Sequence, residues 1–164
     1  MNNLMKLLAS VVLFSLPSML SASCTTEDTG LLEANVSDAP QTSELMKDTI
    51  KIIIGHNNFT AILESNATAN EFKKMLPLTI SMKDLNSNEK FFDFADNLPA
   101  SASNPRTINS GDLMLWGSNT LVLFYKTFNT SYSYTRLGKI ENPTGLAKAV
   151  GPGNVTVTFQ LLNN

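Results

Sequence analysis

From residue 49 onward, apolar residues recur at every second position or in short unbroken runs, a period that belongs to strands rather than helices. Thr49-Ile50-Lys51-Ile52-Ile53-Ile54 is β-branched, Gly55-His56-Asn57-Asn58 supplies a turn, and Phe59 to Leu63 returns as the second arm of a hairpin. Leu78 to Met82 and Lys90 to Phe94 read as the third and fourth strands. Gly111-Asp112 opens a fifth, Leu113 to Trp116, and the turn Gly117-Ser118-Asn119 leads into a sixth, Leu121 to Tyr125. That sixth strand is apolar on both faces and is expected at the centre of a sheet. Tyr132 to Leu137 reads as a seventh strand. Asn154 to Leu162 alternates Val155, Val157 and Phe159 with Thr156, Thr158 and Gln160, a half-buried eighth. The polar stretch from Asn97 to Ser110, with Pro99 and Pro105, reads as a loop.

A helical period interrupts this pattern twice. Thr68-Ala69-Asn70-Glu71 fits a capping box, with Phe72, Met75 and Leu76 on one face and a stop before Pro77. Asn142-Pro143 predicts a second short helix to about Val150, with Pro143 at its first position and Gly151 just past its end. Two helices are too few for a parallel α/β sheet. Closure removes the exposed edges of an antiparallel one, and eight strands leave an interior that side chains fill. The expected fold is mainly β, a closed eight-stranded barrel with two short helices.

The N-terminal residues carry a different pattern. One charge, Lys6, precedes the apolar run Leu7 to Leu16, then come Pro17 and the small residues Ser21-Ala22-Ser23. An apolar core of about 10 residues suits a signal peptide and is too short to span a bilayer. Residues 1–23 are therefore read as an export signal. Leu20-Ser21-Ala22-Ser23-Cys24 resembles a bacterial lipobox, although the usual Leu sits one place early; the resemblance implies lipidation of Cys24 and a membrane anchor. Cleavage at Ala22 by an ordinary signal peptidase is the alternative, and it leaves an unpaired thiol on an exported chain. Residues 24–47 carry five acids, Glu27, Asp28, Glu33, Asp38 and Glu44, against Lys47 alone, and contain no aromatic residue. Such a segment buries too little apolar surface to offset its ordering entropy, and reads as a flexible acidic linker. Residues 48–164 form the folded domain.

Composition narrows the chemistry. The chain has 164 residues, 43% hydrophobic and 16% charged, with net charge −2, one Cys and one His. Disulfide frameworks, Cys/His zinc sites and Cys-His or Ser-His catalytic pairs have too few members, and no basic footprint points to nucleic acid. Neither a metal nor a cofactor is expected.

The element order β-β-α-β-β-β-β-β-α-β resembles that of cyclophilins. Gly111 to Tyr125, followed by Leu137-Gly138-Lys139-Ile140, is similar to the central motifs of a bacterial cyclophilin-like family over roughly Asp48 to Leu162. The resemblance implies a cyclophilin-like β-barrel and raises prolyl isomerisation. That reaction needs an apolar slot and a donor for the twisting amide, but no nucleophile. In active cyclophilins an Arg on the strand after the first helix supplies the donor. Here Leu78 to Lys83 contains none, the Gln-containing motif that follows is absent, and Lys83 lacks Arg's planar fork. Phe124 or Leu123 is the candidate for the slot.

The two arginines are Arg106 and Arg136. Period-two alternation puts Tyr132, Tyr134 and Arg136 on one strand face, suited to an acidic or aromatic ligand; a solvated face with packed tyrosines is the bland alternative. Phe124 and Tyr125, Trp116 beside Gly117, and Arg106 in the long loop complete the candidate ligand-binding set. His56 reads as a turn residue, Asp93 and Asp96 as solvated charges, and Asp112 as a turn cap. The function expected is that of an exported binding or interaction module without catalysis. A lipid would anchor it to the membrane of the bacterial envelope, and its ligand would be a peptide or small molecule. A diverged peptidyl-prolyl isomerase is the alternative.

Overall fold

A computed structural model describes residues 48–162. The expected export signal, the expected lipidation at Cys24 and the expected acidic linker lie outside these residues. Ten strands and two helices follow in order: β1 (Thr49–Ile54), β2 (Asn57–Leu63), α1 (Ala67–Lys74), β3 (Leu78–Leu85), β4 (Glu89–Asp93), β5 (Thr107–Ile108), β6 (Asp112–Trp116), β7 (Thr120–Phe124), β8 (Phe128–Asn129), β9 (Thr135–Ile140), α2 (Leu146–Val150) and β10 (Val155–Leu161). Eight of the strands close a barrel in the order β1-β10-β3-β4-β7-β6-β9-β2, and β5 pairs with β8 in a separate two-stranded ribbon.

Alternation explains the core. On β1, Ile50, Ile52 and Ile54 point inward, and Val157 and Phe159 of β10 meet them from the neighbouring strand. Phe72 of α1 packs edge-on against Phe159 at 5.5 Å, and Leu146 and Val150 of α2 join the same core. The strands β6 and β7 are buried on both faces, as their unbroken apolar runs predict. Leu113, Leu121 and Leu123 fill the barrel. On the outside, Met114, Val122 and Phe124 form a second cluster with Ile108 of β5 and Tyr134, against which Phe91 and Phe128 pack.

Two glycines of the family-like motifs have a steric reason. Gly111 sits at φ +92°, where a Cβ would press on Ile140 and Pro143 at 3.1 Å. A Cβ on Gly138 would lie 2.6 Å from the Ile62 carbonyl oxygen, so β2 and β9 close the barrel only where no side chain intervenes. Asp112 caps its turn as expected, its Oδ2 accepting from the Asn109 N–H at 2.8 Å.

Three local expectations are corrected. The cap of α1 is Asn66, whose side chain accepts from the Ala69 N–H at 2.9 Å; Thr68 is buried inside the first turn and donates to the Pro99 carbonyl at 2.6 Å. Helix α2 starts at Leu146 because Gly145, left-handed at φ 84°, stands between it and Pro143. The seventh predicted strand slips by three residues to Thr135–Ile140. Tyr134 only bridges Ser103 of the long loop, and that loop also contains β5.

Candidate functional site

The outer surface of the barrel over β4 and β7 carries a groove of about 390 Å³. Along β4, Glu89, Phe91 and Asp93 share the outward face, opposite Phe124, Val122 and Thr120 of β7. The lining comprises Glu89, Phe91 and Asp93 with Val122 and Thr120. Trp116 at the end of β6, Tyr132 and Tyr134 before β9, and Leu85 and Asn86 at the β3–β4 turn complete it. That turn is tight, with Asn86 and Ser87 both at φ 54°, a left-handed pair that places β4 directly after β3.

Aromatic rings dominate the walls. Trp116 is 53% exposed and Tyr132 65%, large apolar surfaces left open to solvent. Tyr134 is buried and meets Phe124 edge-on at 5.5 Å; burial raises its phenol above the usual range. The charged groups of the lining, Glu89 and Asp93, are both acidic. The Asp93 carboxylate accepts from the Thr120 hydroxyl at 2.7 Å. Glu89 is only 8% exposed, and its carboxyl has no hydrogen bond or ion pair among the described residues. Burial, reinforced by the charge of Asp84, pushes it up to about 7.

On the inner face of the same strand, Lys90 is fully buried. Its Nζ donates to the Asp84 carboxylate and to the carbonyls of Gly151 and Gly153, each at 2.7 Å, and lies 5.4 Å from the Tyr125 ring centroid. The Tyr125 hydroxyl donates to the same Asp84 oxygen at 2.7 Å. The Lys90 hydrogen bond and then that of Tyr125 hold Asp84 below the usual carboxylate range, while burial, then Asp84, push Tyr125 up to about 12.

The residues singled out from sequence are divided by this geometry. Trp116, Tyr132 and Tyr134 line the groove. Arg136 is exposed and lines a different, shallow depression with Glu64, Asn66 and Ser103, so the expected Tyr-Tyr-Arg row does not form one surface. Phe124 and Tyr125 point to opposite sides of β7's wall: Phe124 is fully buried in the outer cluster, and Tyr125 joins the barrel core. The two rings therefore do not share a face, and neither lines the groove over β4 and β7. Arg106 is exposed in the long loop at φ 63°, its N–H bonded to the Asn104 side chain at 2.6 Å. His56 is exposed in the β1–β2 turn. Sequence reasoning passed over Glu89 and Lys90. The signal for Glu89 was the alternation Glu89-Phe91-Asp93; a lone lysine in an apolar strand gives no comparable sign.

A family model described as the cyclophilin-like family matches residues 52–160. The chain belongs to the cyclophilin-like family. Among solved structures, a hypothetical protein from Archaeoglobus fulgidus, determined in solution, resembles this cyclophilin-like barrel with a TM-score of 0.50 at 14% identity. The match covers 71% of this chain and 95% of that one, and it speaks for the fold alone. No curated protein matches the chain.

Proposed function

We propose that this cyclophilin-like protein is a non-catalytic binding module, tethered to the bacterial envelope through lipidated Cys24, with the groove over β4 and β7 as its binding surface. The observation that carries the binding reading is the groove itself, an open aromatic wall around an acid that has no partner. What speaks against isomerisation is the kind of charge present. A twisting prolyl amide calls for a fixed cationic or N–H donor, whereas the charged residues lining this groove are Glu89 and Asp93. Lys83, outward on β3, has its ammonium 5.7 Å from the Phe91 ring centroid. Both arginines sit elsewhere. The acidic linker would hold the domain away from the membrane surface.

Two experiments test this reading. Cys24→Ala should move the full-length protein from the membrane fraction to the soluble one, and a variant that still sediments with membranes removes the anchor. A coupled prolyl-isomerisation assay should show little acceleration over the slow uncatalysed rate. Robust turnover that Phe91→Ala or Trp116→Ala abolishes would turn the groove into a catalytic site.

A further inference from the structure

We propose that the groove is a receptor for a primary ammonium group, carried by a lysine side chain of a peptide or by a free alkylamine and held by Glu89 against the aromatic wall. The inference rests on the binding-module reading and specifies its ligand.

The first argument is incompleteness. Glu89 is 8% exposed as a residue, its carboxyl makes no hydrogen bond or ion pair among the described residues, and its oxygens keep access to the groove. A carboxylate so placed loses part of its hydration, and such groups are ordinarily paired. Lys90, one residue away, shows what pairing looks like in this protein, with three donors on three acceptors. Glu89 lines an open groove, so its missing partner has a route in from solvent. The second argument is the sign of the surroundings. Asp93 lies two residues along the same face, and the rings of Phe91, Trp116, Tyr132 and Tyr134 complete the wall. Ring faces carry negative quadrupole density and attract ammonium ions. Lys83 already exploits this at the Phe91 ring. An anionic ligand would meet two carboxylates, and a purely apolar one would leave Glu89 unpaired. The third argument is size, since about 390 Å³ suits a single side chain with its flanking backbone rather than a large cofactor.

The groups around Glu89 set the pH dependence. They are Lys83 and Asp84 from β3, Lys90 and Asp93 from β4, Tyr125 after β7, and Tyr132 and Tyr134 before β9. With its carboxyl near 7, Glu89 must release a proton to take the ammonium, so affinity should rise with pH across neutrality. A ligand carbonyl accepting from the protonated acid would give the opposite trend.

Trp116 is the single tryptophan of the chain, so its fluorescence reports directly on the groove. The mature protein would be titrated with acetyl-Ala-Lys-Ala-amide, with the norleucine counterpart and with n-butylamine, at about pH 8 and about pH 5.5. The lysine peptide should saturate at the higher pH. Binding should weaken about tenfold or more at the lower pH, in Glu89→Gln, and for the norleucine peptide. Equal binding of lysine peptide and butylamine assigns a free amine, and binding of the peptide alone assigns a peptide side chain. A norleucine peptide that binds as well as the lysine peptide overturns the ammonium assignment and leaves the groove a binding site. Silence toward both peptides and butylamine overturns the assignment and the groove reading together, while binding of butylamine alone assigns a free amine. Should Glu89→Gln fail to fold, the pH comparison on the unaltered protein reads the same carboxyl, and a pH-independent affinity overturns the proposal.

Discussion

Glu89 and Lys90 are neighbours on β4, yet they face opposite worlds. Lys90 points into one rim of the barrel, where Asp84, Gly151 and Gly153 accept all three of its protons. Glu89 points out into the groove with its carboxyl unpaired and pushed up to about 7. Both are buried charges, and burial alone does not tell a structural group from a functional one. Completeness does. A saturated network ties β3, β4, β7 and the α2–β10 connection together and has no valence left for a ligand. An acid without a protein partner beside an open groove costs stability as it ionises, and its position makes it a candidate for a ligand contact.

Breaking the saturated side should have the largest effect. Lys90→Met keeps the volume but leaves the two glycine carbonyls without a donor and Asp84 with the Tyr125 hydroxyl alone, a loss of about 2 kcal/mol or more. Urea denaturation of the variant measures it; a loss within the range of an ordinary surface change would show that the network is dispensable. Relieving the unsatisfied side should do the reverse. The Glu89 carboxyl is raised from its ordinary 4.5 to about 7 on folding, so the native state prefers the protonated form. Its penalty is absent below the unfolded value and grows as pH rises from about 4.5 through about 7. Glu89→Gln should therefore be close to neutral at about pH 4 and more stable than the parent at about pH 8, by about 1–2 kcal/mol once solvent in the groove screens part of the charge. Melting curves at the two pH values give the comparison, and a pH-independent difference would mean that the carboxyl is not destabilised by folding. Asp84 runs the other way: its lowered value contributes stability that is lost as pH falls through the acid range.

The smallest effect should come from the residue that the sequence pattern made most attractive. Arg136 is exposed and its guanidinium has no partner among the described residues. Arg136→Ala should change stability by less than about 0.5 kcal/mol and leave the Trp116 fluorescence titration unaltered. A weakened titration would bring Arg136 back to the groove.

Why the barrel was legible and the groove was not follows from the range of the forces. Residues such as Ile50, Ile52 and Ile54 declare their face through alternation alone, and the double-faced burial of Leu121 to Phe124 shows in an unbroken apolar run. The capping-box spacing points to Thr68 as the cap of α1, whereas Asn66 takes the role. Distant partners decide it, the Asn66 amide donating to the Arg136 carbonyl and Thr68 donating to Pro99. Tyr132 and Tyr134 have strand propensity, but packing against Phe124 and pairing with Ser103 take Tyr134 out of the barrel ladder, and Tyr132 stays exposed. The groove is assembled from β4, β6, β7 and the segment before β9. Its chemistry depends on which acid is left unpaired, and no local pattern encodes that.

The most direct measurement is an NMR titration of the Glu89 side-chain carboxyl, alone and with saturating acetyl-Ala-Lys-Ala-amide. The account predicts a midpoint near 7 in the free protein and a clear fall when the ammonium is bound, as the carboxylate gains its missing partner. A midpoint in the ordinary glutamate range that the peptide does not move would contradict it.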